Sequence, residues 1–391
     1  MRKAIEQLPG SRIREVANAG MGRSDVLAFW FGESDEVTPE AVRAAAADSL
    51  ARGETFYAHN LGMAELREAL ASYTSALHGA VSIDRIAVTS SGVSALMLAT
   101  QMLVGAGDEV VAVVPVWPNL TVQPAIMGAN VVRVALVPRD GAWALDLDKL
   151  LAAITPATRM LLVNAPNNPT GWTLTRAEQQ AILDRCRKTG TWIVADEVYE
   201  RLWFGEGVRG EPGANGCAPS FLDIANDKDR LIVVHSFSKS FLMTGWRLGW
   251  MVLPDGHLDA VGKLIEFNTS CAPVFVQRGG LAGLQTAQTT VPELAARMKA
   301  CRDRLVGGLR QLPGVQLGNP LGGMYAFFRV PGASDDSLAF AKHLVTEHGL
   351  GLAPGVAFGD EAQGWLRWCF ASRDPSRLDQ GLARLASALR L

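Results

Sequence analysis

Between residues 85 and 254, short apolar runs alternate with longer stretches in which apolar residues return every three or four positions. The runs at 86–88, 109–114, 131–136, 160–163 and 231–234 are nearly free of polar side chains, as strands buried on both faces are, and 192–196 ends such a run on Asp196. Helical spacing at 146–154 and 176–189 separates them. The pattern predicts a parallel sheet wound on both sides by helices.

The flanks read differently. Residues 1 to about 24 form a helical arm, and an apolar run at 26–31 closes on Gly32, Glu33 and Ser34. Thr38-Pro39-Glu40 then predicts a helix with a hydroxyl cap and a proline in its first turn. A loop with Tyr57 and Asn60 precedes a helix from near Met63. Past Pro254 the alternation stops: helices are expected at 256–268, 274–284, 291–312, 337–347 and 375–389, with strands from about Met324 and at 364–370, and a turn-rich loop at 351–359. The fold class is therefore α/β, a three-layer, doubly wound, mostly parallel sheet accompanied by a smaller α+β part. The expected division is an N-terminal arm at 1–42 joining the small part, a large domain at 43–285 and a small C-terminal domain at 286–391.

Composition narrows the classes of function. The chain has 391 residues, 48% hydrophobic and 19% charged, enough to bury a large core in two domains. Lys and Arg number 37 against 39 Asp and Glu, a balance that calls for neither nucleic acid nor an anionic membrane. Cys186, Cys217, Cys271, Cys301 and Cys369 are scattered without a C-x-x-C pair, so neither a disulfide framework nor a metal site is expected. The first residues lack the apolar stretch of a signal peptide and no run is long enough to span a bilayer, which points to the cytoplasm. A Gly- and Pro-rich stretch at 205–219 reads as a surface excursion.

The candidate chemistry gathers around residues 236–249, SFSKSFLMTGWRLG. Lys239 lies just past the carboxyl end of a buried strand, where open α/β sheets hold ligands, with Ser236, Ser238 and Arg247 nearby. An amine among phosphate-binding groups suggests a Schiff base to a phosphorylated aldehyde, which means pyridoxal 5'-phosphate. An isolated Ser-x-Ser-Lys is ordinarily a solvated loop, and here its company decides. Ser90, Ser91 and Gly92 form a turn from strand to helix that presents free N–H groups to a phosphate. Trp117 sits between two prolines past a strand and can stack on a planar ring. Pro166 and Pro169 hold Asn168 extended or cis, and Asp196, with Tyr199 three residues on, ends a buried strand where a carboxylate needs a positive partner.

These motifs, together with ELREAL after Tyr57, NNPTG, DEVY, GWRLG and LRWCFA, resemble those of class I/II aminotransferases of the fold type I group over roughly residues 31–370. The resemblance implies that Lys239 forms the Schiff base and then acts as base and acid for the 1,3-proton shift. Asp196 would pair with the pyridinium nitrogen, Tyr199 and Asn168 with the phenolic oxygen, and Trp117 would stack on the ring. Ser91, Gly92, Val93, Ser236, Ser238 and Arg247 would surround the phosphate, with Tyr57 reaching it from the neighbouring subunit of a homodimer. Arg367 would grip the substrate α-carboxylate as a fork, beside Gly32, Trp117 and Asn168. One departure is Val93, where relatives often place Thr or Lys.

The function so implied is transfer of an amino group from an L-amino acid to a 2-oxo acid by a ping-pong scheme. A C–S lyase or decarboxylase on the same scaffold is the alternative, since fold does not decide how the carbanion partitions. A cofactor-binding transcription regulator is a third reading, disfavoured because the aminotransferase-like region begins almost at once. Val93 supplies no cation for an acidic side chain, while Trp30, Phe31 and Trp117 are expected near the substrate. A neutral or aromatic donor is expected, with 2-oxoglutarate or pyruvate as acceptor.

Overall fold

Ser11 caps α1 (Arg12–Gly20) by accepting the Arg14 N–H, and two residues, Leu27–Ala28, then pair in parallel with Leu350–Gly351. The computed structural model describes residues 1–205, 216–331 and 336–390. Most of the expected surface excursion at 205–219, residues 206–215, lies outside the described residues. Helix α2 (Glu40–Ala51) starts without a side-chain cap, contrary to the expectation from Thr38. That hydroxyl is engaged elsewhere: it donates to the Leu242 carbonyl at 2.6 Å and accepts the Trp246 indole N–H at 3.0 Å. Helix α3 (Ala64–Leu77) follows.

The large sheet contains β1 (Ile86–Thr89), β2 (Glu109–Val114), β3 (Asn130–Ala135), β4 (Thr158–Asn164), β5 (Trp192–Asp196), β6 (Leu231–Ser236) and β7 (Gly249–Val252), in the spatial order β1-β7-β6-β5-β4-β2-β3. All run parallel except β7, which pairs antiparallel with β1 and β6 and has no counterpart in the sequence reading. Every residue of β1, β5 and β6 is buried, as their apolar runs require. Helix α4 (Gly92–Leu103) starts right after β1. Between β4 and β5, α5 (Arg176–Thr189) matches its predicted span, set by a Thr175–Glu178 capping box and a left-handed Gly190. In register, Asn164 lies opposite Asp196, and Ser236 opposite Gly249. The carboxyl edge thus collects polar side chains from strands far apart in sequence.

The two helices expected at 274–284 and 291–312 are one, α6 (Val274–Gln311), continuing through Pro292. Proline removes one hydrogen bond, but a buried stripe of Leu284, Ala287, Val291, Leu294 and Met298 carries the helical spacing across it. Positions 285 and 286, the expected division between large and small domains, both fall inside this helix. Among the described residues no helix is long and apolar enough to cross a membrane.

A smaller antiparallel sheet follows, built from β8 (Gln316–Leu317), β9 (Tyr325–Arg329), β10 (Ala353–Pro354) and β11 (Trp365–Cys369) in the order β8-β9-β11-β10. Helices α7 (Ser337–His348) and α8 (Ser376–Ala388) complete this part, and α1 packs on α7. Arg367 lies opposite Phe327 and Ala353, in the middle of the small sheet.

Candidate active site

The strand ends face a cavity of about 590 Å³ lined by both sheets, by α1 and by the segment 31–33. Lys239, three residues past β6, donates its amine to the Gly32 carbonyl and lies 5.7 Å from the centroid of the Tyr199 ring. Enclosure of the amine pushes it down to about 8, with the positive Arg367 and Arg247 adding to the effect. Asp196 is 2% exposed, and the bond its side chain accepts is a long one, 3.4 Å, from the Val198 N–H. Burial pushes its carboxyl up to about 7 against that bond and the Lys239 charge. Among the described residues no cation forms an ion pair with this carboxylate, and the Lys239 charge only partly offsets its burial.

A second group holds a carboxylate fork. Arg367 is 2% exposed, donates to Asn168 Oδ1 at 3.0 Å and to the Trp30 carbonyl, and keeps a buried Nε–H with no partner among the described residues. The rings of Tyr325 and Phe358, 4.3 and 4.8 Å from the guanidinium carbon, fix its plane. Asn168 is positioned by its N–H to Asn164 Oδ1 at 2.7 Å and by its carbonyl, which accepts from the Trp117 N–H at 2.8 Å. The Asn168–Pro169 bond is cis, one of the two conformations that the prolines allow. The Trp117 side chain lines the cavity.

The third group is a cup between α4 and the start of β7. Ser91 has φ 139° and its hydroxyl already accepts the Ser94 N–H at 3.1 Å, so what α4 offers a ligand is the first-turn N–H groups of Gly92 and Val93. The Ser236 and Ser238 hydroxyls are 2.9 Å apart, and Arg247, in the left-handed region at φ 57°, is an exposed residue that lines the same cavity. A Cβ at Gly249 would lie 2.6 Å from the Gly92 nitrogen and 2.7 Å from the Ser91 carbonyl carbon, so only glycine leaves the cup this deep. Its donors suit a phosphate.

Lys239, Asp196, Tyr199, Asn168, Trp117, Gly92, Val93, Ser236, Ser238, Arg247, Gly32 and Arg367 all line one cavity, whereas Ser91, the cap of α4, is not among the lining residues. Tyr57 does not: it lies outside the cavity, 89% exposed. Trp30, expected near the substrate, contributes only its carbonyl. Its indole packs on Gly20 and Gly351, whose missing side chains make room for it. Sequence reasoning missed Tyr325, whose hydroxyl is 2.7 Å from that of Tyr199, and Asn164, which donates to the Asp196 carbonyl at 3.0 Å. Burial pushes both phenols well above their ordinary range, so they act as neutral hydrogen-bonding groups. Arg14 and Glu33 at the mouth were also missed as lining residues.

An uncompensated buried carboxylate, an enclosed amine of lowered pKa and a glycine-floored anion cup fit pyridoxal phosphate, with its protonatable ring nitrogen, aldehyde and phosphate. The family model for aminotransferase class I and II matches residues 25–385. The aspartate aminotransferase of Pyrococcus horikoshii is 30% identical over 382 residues, 97% of this chain and 94% of that one. An arginine–pyruvate transaminase of Pseudomonas aeruginosa is 32% identical over 361 residues, 90% and 87% of the two chains. The crystal structure of a Thermotoga maritima aspartate aminotransferase superposes with a TM-score of 0.88 at 30% identity, covering 100% of both chains. The chain belongs to the class I and II aminotransferases and is a pyridoxal-phosphate-dependent transaminase.

Proposed function

We propose that Lys239 binds the cofactor covalently, takes the proton from the substrate α-carbon and returns it to complete the 1,3-shift. When bound, the cofactor supplies the electron sink that stabilises the carbanion. Asp196 keeps the ring nitrogen protonated, Asn168 and Tyr199 orient the ring through its phenolic oxygen, and Trp117 stacks on one face. The cup of Ser91, Gly92, Val93, Ser236, Ser238 and Arg247 holds the phosphate, and Arg367 takes the substrate α-carboxylate next to Gly32. The observation that carries this reading is the convergence of Lys239, Asp196 and Arg367 on one cavity from separate elements.

The donor in this reading is a neutral or aromatic L-amino acid and the acceptor 2-oxoglutarate or pyruvate. Support comes from Phe31, Trp117 and the uncharged Val93 on the cavity wall. Mixing the pyridoxal form with a panel of amino acids and following its conversion to the pyridoxamine form tests the choice. Aspartate reacting much faster than phenylalanine, leucine or methionine sinks it. Release of ammonia or carbon dioxide without conversion favours the lyase or decarboxylase alternative.

The same reading makes the enzyme a cytoplasmic homodimer, divided into an arm at 1–42, a large domain at 43–285 and a small one at 286–391. Support for the dimer lies in exposed Phe56, Tyr57 and Phe267, aromatic surface that a partner would cover while receiving Tyr57 at its phosphate. A fully active monomer in light scattering refutes it.

A further inference from the structure

Among the described residues four cationic side chains line the cavity: Lys239, Arg247, Arg367 and Arg14. The first three have work in the proposed reaction, on which the following rests. Arg14 has none. It projects from the first turn of α1, with its guanidinium carbon 5.8 Å from the centroid of the Phe31 ring. Acidic neighbours do not neutralise it: Glu15 is tied to Arg12 at 2.9 Å and to Lys342, while Glu33 accepts from the Thr244 hydroxyl at 3.2 Å. Among the described residues Arg14 makes no ion pair, though it lines a site for carboxylic acids.

The wall between the two arginines is continuous. Arg367 holds the Trp30 carbonyl, Phe31 is the next residue, and Arg14 lies over Phe31. A ligand fixed at one end by Arg367 that follows this wall passes the Phe31 ring and reaches a second guanidinium. An apolar stretch between two forks is the recognition pattern of a dicarboxylate, whose two anionic ends are separated by methylenes. The geometry points to Arg14 as the residue that takes the distal carboxylate of a dicarboxylic 2-oxo acid, so that 2-oxoglutarate is the preferred acceptor and pyruvate a poor one. A neutral donor uses the same wall through Phe31 alone, which lets one cavity serve both halves of the cycle without a cation at Val93.

Arg14→Gln tests this by a ratio. The pyridoxamine form is reacted in single turnovers with 2-oxoglutarate and with pyruvate, and the expected result is a drop of roughly tenfold or more in the preference for 2-oxoglutarate, carried by KM. Arg14→Lys, which keeps the charge and loses the fork, falls between the two. Glutarate, an inert dicarboxylate, should bind the wild-type holoenzyme more tightly than the Gln variant by a similar factor, in a salt-sensitive manner. An equal loss for both acceptors marks Arg14 as merely structural and overturns the inference, as does an unchanged ratio. Amino transfer to pyruvate by an enzyme indifferent to 2-oxoglutarate and glutarate also overturns it, while leaving the transaminase reading intact. Arg14-dependent glutarate binding without transfer from any donor would instead sink the proposed donor and acceptor and leave Arg14 as a dicarboxylate receptor.

Discussion

The hydroxyl of Tyr325, on β9 of the small sheet, lies 2.7 Å from that of Tyr199, which follows β5 of the large one. This bond joins the two sheets at the floor of the cavity. It also explains Gly32, because a Cβ there would fall on the Tyr325 hydroxyl and come within 3.1 Å of its Cζ. The Gly32 carbonyl in turn receives the Lys239 amine. Lys239, Gly32, Tyr325 and Tyr199 therefore form one packed unit, and a change at one is felt at the others.

Gly32→Ala should accordingly lower kcat/KM for a responsive donor by about a hundredfold, because the new methyl must displace the Tyr325 phenol or the backbone that meets Lys239. Tyr325→Phe removes the atom nearest the clash. The double variant should therefore recover part of the loss, giving a smaller defect than the two singles multiplied. Strict multiplication, with unaltered circular dichroism in all three, would show that the contact does not matter.

For Lys239, burial of the amine sets the pH at which it can act as a nucleophile. The ammonium form is disfavoured down to about 8, so the neutral amine becomes dominant above that pH instead of near 10.4, the ordinary lysine value. The rate at which cofactor-free protein takes up pyridoxal phosphate should rise through a midpoint near pH 8. Borohydride should then fix the cofactor to wild type but not to Lys239→Ala. A midpoint above 10, or a fixed cofactor in the Ala variant, contradicts the assignment.

Lys239 and Asp196 were legible in the sequence because their charges stand at or just past the ends of apolar runs, where they are costly unless they serve something, whereas Arg367, in the middle of a strand, was implied by the family resemblance alone. The parallel sheet was legible for the same reason of contrast, since uninterrupted apolar runs have few other uses. Tyr325 was not, because GGMYAFFRV reads as an ordinary core strand and its partner is 126 residues away. The strand β7 hid inside the GWRLGWMV motif, where glycine and tryptophan mask the short apolar run. His78 was invisible for a similar reason. It lies buried between Asp223 and Glu200, 2.9 Å from each, and although burial opposes its charge the two carboxylates hold it at about 10. Three segments must fold before that grouping exists, and no local pattern announces it. Phe31 and Trp30 show the limit of counting aromatics: neighbours in sequence, they face opposite ways, one into the cavity and one onto Gly20.

Asp196 supplies a test that separates cofactor binding from folding. In the cofactor-free protein burial raises its carboxyl to about 7, whereas in the unfolded chain it titrates near 3.9. Between those values the unfolded state has released its proton and the folded state still holds it, so stability falls as pH rises from about 4 to 7 and then levels off. At about 1.36 kcal/mol per pKa unit the loss amounts to roughly 4 kcal/mol at most. Asp196→Asn removes this titration. Thermal melts of the two cofactor-free proteins should therefore diverge across that window, with the Asn variant the more stable at pH 8. Adding pyridoxal phosphate should reverse the order, because the protonated ring nitrogen compensates the Asp196 charge and has no such partner in the variant. Turnover of the variant should fall roughly a hundredfold or more, the scale for losing one preorganised charge at a reacting centre. Parallel pH–stability curves for the two cofactor-free proteins would mean that Asp196 is already ionised without its ligand, and equal stabilisation by cofactor would remove it from the ring-binding role.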